Sequence, residues 1–263
     1  MITIREYKKV SSLEEAWELN QKRSNRIIGG MLWIKMTKGN VMTAIDLSGL
    51  GLDTIEETAE EFRIGCMVSL RQLEEHAGLN AYTGGAIKEA MQHIVGVQFR
   101  NLATVGGSVY GRFGFSDVIS MLMVTDCYVE MYKGGLIPLA EFVNMPYDRD
   151  ILVRIIIKKI PASFSYQTVR ITKTDFPVLT CAAACTEAGV CIAVGARPAK
   201  AMLLKDEQGM VKMPVTKEQA EAFAAYAAEQ IPTGNTNRGS AEYRKHLIKV
   251  LAERTVLEAG GKA

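Results

Sequence analysis

Apolar and polar positions along the chain change period repeatedly, which marks short helices and strands rather than long uniform elements. Ser12 precedes Leu13, Ala16 and Trp17 and has Glu15 three residues on, a capping box that predicts a helix start. Ser69 with Gln72 repeats the signal ahead of Leu70 and Leu73, and Thr216 with Gln219 opens an alanine-rich helix toward Gln230. Ser240 is placed to cap a last helix in which Tyr243, Leu247, Val250 and Leu251 fall at helical spacing. Strands are expected at 26–28, 44–47, 62–65 and over the β-branched run 151–160. Segments 126–132 and 136–139 flank Lys133-Gly134-Gly135 as a hairpin.

Strands alternate with helices in the first part, whereas the last hundred or so residues group strands before helices. The expected fold is therefore α+β: a mixed α/β N-terminal region and a smaller α+β C-terminal domain, with the boundary near Pro161. At 263 residues the chain can bury a sizeable core as two domains or one with subdomains.

Charge narrows the function. The 31 basic and 29 acidic residues leave a net charge of +2, and the basic residues are scattered, so nothing points to nucleic acid or an anionic membrane. The start, Met1-Ile2-Thr3-Ile4-Arg5, lacks a basic segment followed by an apolar one. Apolar stretches at 94–109 and 176–194 are interrupted by Arg100 and Glu187, short of the ~18–20 residues of a membrane span. A cytoplasmic protein is expected. Five cysteines, an odd number, argue for reduced thiols. Cys181, Cys185 and Cys191 match no common zinc or iron–sulfur spacing. The two-residue period of a strand puts Cys181 and Cys185 on one face as small core residues.

The chemistry lies in glycine pairs. The chain has five, against about two expected by chance, and 84–85, 134–135 and 260–261 read as turns or tail. The other two differ. Gly29-Gly30 ends the apolar strand Arg26-Ile27-Ile28, and Gly106-Gly107 lies between Thr104 and Ser108 after an apolar run. Glycine lets successive backbone N–H groups converge on one point, making a nest for anionic oxygen. Two such loops suit the pyrophosphate of one dinucleotide; an ordinary strand-to-helix turn is the alternative reading of each. Asp117 precedes an apolar helix expected at 118–124, which it is placed to cap, and it can also bind a hydroxylated ligand such as a ribityl chain. His76 and His246 fall in expected helices, while His93 lies near the strand expected to enter the second glycine loop and is a candidate lining residue. The acidic stretch 56–61 reads as a solvated turn. There is no Gly-x-Gly-x-x-Gly, no Walker A loop and no nucleophilic serine elbow. Two phosphate-type loops without an acid, base or nucleophile set point to chemistry carried by the ligand, as with redox cofactors.

These residues resemble the FAD-binding (medium) subunit of molybdenum hydroxylases, the family of xanthine dehydrogenase and carbon monoxide dehydrogenase. Ser12 to Leu19 is similar to its first helix, and Ile28-Gly29-Gly30 to its Ala-Gly-Gly flavin loop. Arg63-Ile64-Gly65-Cys66 resembles the Arg-Ile-Gly-Ala strand, and Thr104-Val105-Gly106-Gly107-Ser108 the Thr-Ile-Gly-Gly-Asn loop with Asp117 as its following aspartate. Asp175-Phe176-Pro177 and Gly239-Ser240-Ala241-Glu242-Tyr243-Arg244 resemble marks of the C-terminal domain.

The resemblance implies a PCMH-type FAD-binding domain at 1–160, made of two α/β subdomains (about 1–53 and 54–160). A C-terminal sheet-and-helix domain like that of the carbon monoxide dehydrogenase flavoprotein would occupy 161–263. It implies FAD on this chain, with [2Fe–2S] clusters on a small partner subunit and molybdopterin on a large one. Electrons would pass from the clusters to FAD and on to NAD or another acceptor. By the same resemblance Ile27, Ile28, Gly29, Gly30, Met31, Leu32, Trp33 and Ile34 would wrap the pyrophosphate and adenosine side. Thr104, Val105, Gly106, Gly107 and Ser108 would bind phosphate and flank the ring, Asp117 would hold the ribityl region, and Ile94 and Leu152 would lie against the cofactor. Gln167 falls near a position where some members carry a basic residue close to the flavin.

The sequence also departs from the family. Met31 and Leu32 stand where the first loop commonly has Thr, Ser, His or Asp, so binding there relies on backbone N–H groups. Each missing side-chain bond is worth roughly 0.5–1.5 kcal/mol. Ser108 replaces Asn, and Arg112-Phe113-Gly114-Phe115 replaces a smaller loop, with aromatics suited to shielding a flavin ring or packing beneath the loop. Two alternatives follow: a structural subunit with weak or lost FAD binding, and a self-contained flavin oxidoreductase, which the missing acid–base set disfavours.

Overall fold

The computed structural model describes residues 1–261, arranged as three sheets in chain order. The first contains β1 (Ile2–Lys9), α1 (Leu13–Asn20), β2 (Arg26–Ile28) and, after a 3₁₀ turn at Ile34–Met36, β3 (Gly39–Asp46). β3 pairs in parallel with both neighbours in the order β1-β3-β2, and its Val41, Ala44 and Ile45 are buried. β1 carries no strong sequence signal because it is an edge strand whose residues are mostly exposed.

The second unit opens with the hairpin β4 (Ile55–Glu57) and β5 (Glu61–Gly65). The stretch expected as a solvated turn is thus two strands joined at Thr58–Glu60, closed by the Thr58 N–H donating to the Glu61 carbonyl at 2.9 Å. Six short helices follow: α2 (Leu70–Glu75), α3 (Ala77–Tyr82), α4 (Ala86–Met91), α5 (Val97–Leu102), α6 (Val105–Tyr110) and α7 (Asp117–Leu122). Then come β6 (Asp126–Met131), β7 (Gly135–Pro138), α8 (Leu139–Phe142) and β8 (Leu152–Lys158), which complete a five-stranded antiparallel sheet of order β4-β5-β8-β6-β7. The strand expected to enter the second glycine loop is instead α5. Its Arg100 is buried and pairs with the buried Glu74 on α2 through Nε at 2.7 Å and Nη2 at 3.2 Å. The apolar run entering the glycine loop is thus a short helix held by a long-range ion pair. His76 is not inside a helix: it caps α3, its Nδ1 accepting from the Leu79 N–H at 3.1 Å.

The C-terminal unit is a four-stranded antiparallel sheet, β9 (Ala162–Arg170), β10 (Pro177–Thr186), β11 (Gly189–Gly195) and β12 (Met202–Lys205), ordered β12-β11-β10-β9, followed by α9 (Lys217–Gln230) and α10 (Ala241–Gly260). β10 is buried on both faces. Ala182 and Ala184 join the core of the N-terminal units, while Leu179, Cys181, Ala183 and Cys185 face the two helices. Cys181 and Cys185 share a face, with the Cys181 Sγ 3.5 Å from the Thr255 hydroxyl. α9 presents Ala220, Phe223, Ala224, Ala227 and Ala228 to that core, and α10 presents Leu247, Ile248, Leu251, Ala252, Val256 and Ala259, each a stripe recurring at three- and four-residue steps. The expected caps form: Ser69–Gln72 and Thr216–Gln219 are reciprocal boxes, and Ser240 caps α10. At Ser12 the hydroxyl caps Glu15, but the Glu15 carboxylate turns to the Ser11 N–H instead. Among the described residues no helix is long and apolar enough to cross a membrane.

Candidate functional site

The two glycine loops meet. A Cβ on Gly29 would lie 2.6 Å from the Thr104 hydroxyl, and one on Gly30 would lie 1.8 Å from the Leu102 carbonyl oxygen. The second loop is as tightly packed, since a Cβ on Gly106 would meet the Cys66 carbonyl at 2.6 Å. These glycines are required by space, so β2 and the start of α6 can form one continuous wall.

That wall borders a cavity of about 720 Å³ between the N-terminal sheet, the second unit and the start of the C-terminal domain. Its size lies within the roughly 300–1,000 Å³ range of small-molecule and cofactor clefts. The structure brings 27–34, Ile94, Thr104, Gly106, Gly107, Ser108, Asp117 and Leu152 to this cavity. It leaves two of the residues singled out in the sequence elsewhere. Val105 points into the core with no exposed surface, because its neighbours Gly106 and Gly107 take the cavity side. Gln167 lies on β9 facing away, where its amide donates to Glu258 at 3.2 Å. Gln167 and His93 line a second, smaller pocket that shares Arg170 with the cavity.

The loops differ in what they offer a ligand. In the second loop the Val105 N–H donates to Val68, Gly106 to Cys66, Gly107 to the Thr104 hydroxyl and Ser108 to the Thr104 carbonyl. Every early N–H of α6 is therefore engaged within the chain. In the first loop, among the described residues, no hydrogen bond engages the N–H groups of Gly30, Met31, Leu32 or Trp33. Met31 holds φ at 59°, a left-handed conformation unusual for methionine, and so turns its backbone where its side chain offers no hydrogen bond. Val95, also bordering the cavity, sits at φ 53°, a rarer strain still for a β-branched residue.

Asp117 is the first residue of α7, but Ser116 is the cap, its hydroxyl accepting from the Ile119 N–H at 3.2 Å. The Asp117 carboxylate is buried and accepts from the Tyr166 hydroxyl at 2.6 Å and from Arg170 Nη2. Burial pushes its pKa up, and Arg170 and Tyr166 oppose that rise. Arg170 also donates from Nη1 to the Asp175 carbonyl at 2.5 Å, tying β9 and the following loop to α7. None of these partners was legible beside Asp117 in the sequence, because they lie about fifty residues away.

An aromatic cluster stands at the cavity's edge. Trp33 stacks on Phe176 with centroids 5.8 Å apart, Phe113 on Phe115 at 5.2 Å, and Phe115 meets Phe176 edge-on at 4.6 Å. Trp33 and Phe113 remain about 43% exposed. Arg238 covers the Phe176 ring at 5.2 Å and pairs with Asp175 at 3.2 Å. The C-terminal motif fixes this arrangement: buried Arg244 donates to the carbonyls of Val178, Gly234 and Gly239 and to the Thr236 hydroxyl. Arg149, before β8, donates to the carbonyls of Asn20, Lys22 and Asn25 and so clamps the 20–25 segment against the second unit. Arg244 lies in the motif that the resemblance marked, whereas the Arg149 clamp had no local sequence signal. Among the described residues the cavity wall thus combines a run of unengaged backbone donors with an adjoining aromatic surface, and its lining brings together no evident acid–base pair.

A family model described as the FAD binding domain in molybdopterin dehydrogenase matches residues 3–161. A second, described as the CO dehydrogenase flavoprotein C-terminal domain, matches residues 164–259. The nicotine 6-hydroxylase medium subunit of Paenarthrobacter nicotinovorans is 24% identical over 278 residues, covering 97% of each chain. The xanthine dehydrogenase FAD-binding subunit of Escherichia coli O157:H7 is 25% identical over 224 residues, covering 76% of each. Carbon monoxide dehydrogenase from Hydrogenophaga pseudoflava has the same fold, with a TM-score of 0.86 at 20% identity over 98% of this chain and 97% of that one.

Proposed function

The chain belongs to the family of FAD-binding domains of molybdopterin dehydrogenases, and on that premise we propose that its large cavity holds one FAD as the flavoprotein subunit of a molybdenum hydroxylase complex. Residues 1–160 are then the FAD-binding domain and 161–263 the C-terminal domain that closes over the cofactor. The observation that carries this reading is the run of unengaged N–H groups at Gly30–Trp33 on the wall of the cavity. They suit the pyrophosphate, which needs several converging donors and no side-chain cation. Gly106 and Gly107 then act by letting the cofactor lie close to the backbone, since their own N–H groups are engaged. Ile94 and Leu152 supply apolar contact, and Asp117, fixed by Arg170 and Tyr166, accepts from a ribityl hydroxyl.

FAD supplies the redox chemistry when bound, taking electrons and passing them on. The protein's part is to bind, orient and exclude water: Trp33, Phe113, Phe115 and Phe176 form the apolar shield on the C-terminal side. Electrons would come from a [2Fe–2S] small subunit served by a molybdopterin large subunit and leave to NAD or another acceptor. The test is copurification: chains coexpressed with such partners form a stoichiometric complex that bleaches at the flavin bands when its substrate is added. A complex that forms but whose flavin stays oxidised while its clusters are reduced overturns the electron-transfer role.

A second reading has an observation of its own. Met31 and Leu32 give the first loop no side-chain donor, and the N–H groups of the second loop are occupied, so a structural subunit with weak FAD binding also fits. Retention of stoichiometric flavin by the purified chain rejects it.

A further inference from the structure

A second pocket, of about 280 Å³, lies between α4 and β9 and shares Arg170 with the lining of the large cavity. It has a different character. We propose that it is a binding site for a small oxyanion, a phosphate or carboxylate group, held by His93, Arg170 and Lys173. The volume leaves room for such a group and several waters, each taking about 30 Å³.

The polar groups on this pocket sort into those already engaged and those left over. Tyr166 donates to Asp117, the Thr168 hydroxyl to the Leu179 carbonyl at 3.1 Å, and the Gln167 amide to Glu258. Left over are two cationic donors, Arg170 and Lys173, and the His93 ring, which donates from Nδ1 when protonated. The Arg170 side chain is only 6% exposed, two of its nitrogens serve Asp117 and Asp175, and its Nε has no partner. His93 Nδ1 is likewise buried without a partner. Lys173 is exposed and carries no ion pair among the described residues. Arginine and lysine donate and cannot accept, so a ligand that satisfies them is an acceptor. A buried polar atom without a partner is costly, and two residues lining one pocket each carry such an atom, which marks the pocket as a place for a ligand.

The charges around His93 agree with that assignment. From α4, Glu89 approaches His93 Nε2 at 3.7 Å but is about half exposed and also takes the Gln92 amide. From α7, Asp117 is committed to Arg170 and Tyr166. From α10, Glu258 is committed to Ser165 and Gln167. Burial first, and then Arg170 and Lys173, hold the His93 pKa below its ordinary value. An oxyanion set between those two cations cancels their effect and stabilises imidazolium.

The experiment follows the three histidines of the full chain by their ring resonances, with inorganic phosphate, acetate, or sodium chloride at matched ionic strength. The expected result is a saturable shift of His93 with millimolar midpoint, a raised His93 ionisation midpoint, and no matching response at His76 or His246. A response to phosphate, to acetate or to both identifies the group recognised, and each supports the site. Lys173→Gln, on the surface and harmless to folding, weakens the response by about tenfold or more, as loss of a charge-assisted bond requires. No saturable His93 shift up to about 50 mM anion, equal shifts at all three histidines, or an unchanged midpoint in Lys173→Gln overturns the proposal.

Discussion

Replacing Gly30 by alanine tests whether the contact between the two glycine loops builds the site. The new methyl would lie 1.8 Å from the Leu102 oxygen and 2.4 Å from its carbonyl carbon, against about 3.4 Å for ordinary contact, so the first loop must retreat by roughly 1.6 Å. The other side has little give. The Ala103 N–H is bonded to Phe99, and the Ala103 carbonyl receives the Leu70 N–H, both at 2.8 Å. Overpacking of this kind costs about 1–3 kcal/mol, which lowers the melting temperature by several degrees in a chain of this size. A retreat of that length also takes the Gly30–Trp33 N–H groups out of hydrogen-bonding range of anything held against the wall. Hydrogen bonds to a charged group are worth about 1.5–3 kcal/mol each, so losing one weakens FAD binding roughly 10- to 100-fold. The assay is a thermal melt together with flavin content after gel filtration. Gly96→Ala is the control, because its methyl would meet nothing closer than 3.4 Å and its φ is −146°. Wild-type melting and full flavin retention in Gly30→Ala would refute the reasoning.

The remaining predictions concern the core, the shield and the thiols. Glu74→Ala strands buried Arg100 and costs about 3–5 kcal/mol in denaturant titration; a loss below about 1 kcal/mol refutes the pairing. Burial alone would raise the Glu74 pKa, but Arg100 and Arg71 hold it below its ordinary value. Its stabilising effect is therefore present above the unfolded pKa of about 4.3 and fades as pH falls through the lower folded value, so the gap between wild type and Glu74→Ala narrows in acid. FAD addition quenches Trp33 fluorescence more than that of Trp17, which lies outside the cavity lining; Trp33→Phe removes most of the quenching, and undiminished quenching contradicts the shield. Burial raises the Cys66 and Cys181 thiols to about 12 and Cys185 and Cys191 to about 11, so thiolate is scarce at pH 8. A thiol reagent then reacts slowly with the folded chain and finds all five after unfolding, whereas rapid native reaction of several thiols counts against the packing.

What could be read from the sequence was local. Caps at Ser69, Thr216 and Ser240, the hairpin around Gly134 and the shared face of Cys181 and Cys185 each depend on residues within a few positions of one another. What escaped depends on distance along the chain. Nothing near Asp117 announces Arg170, nothing near Arg100 announces Glu74, and the aromatic shield joins residues 33, 113, 115 and 176 from three parts of the fold. The strand expected before the second glycine loop is α5, whose residues after Val97 include no β-branched residue and whose Arg100 pairs with the distant Glu74. The glycine loops were recognisable as a pair, yet their division of labour was not. Which N–H groups stay free is decided by Cys66, Val68 and Thr104, partners that the loop sequences do not specify as such.

The visible absorption spectrum of the purified protein, with heat-released cofactor identified by chromatography, decides whether this chain carries one FAD. The expected result is two flavin bands and about one FAD per chain, as for a preformed cofactor cleft. A colourless chain that melts cooperatively and takes up no added FAD would contradict it.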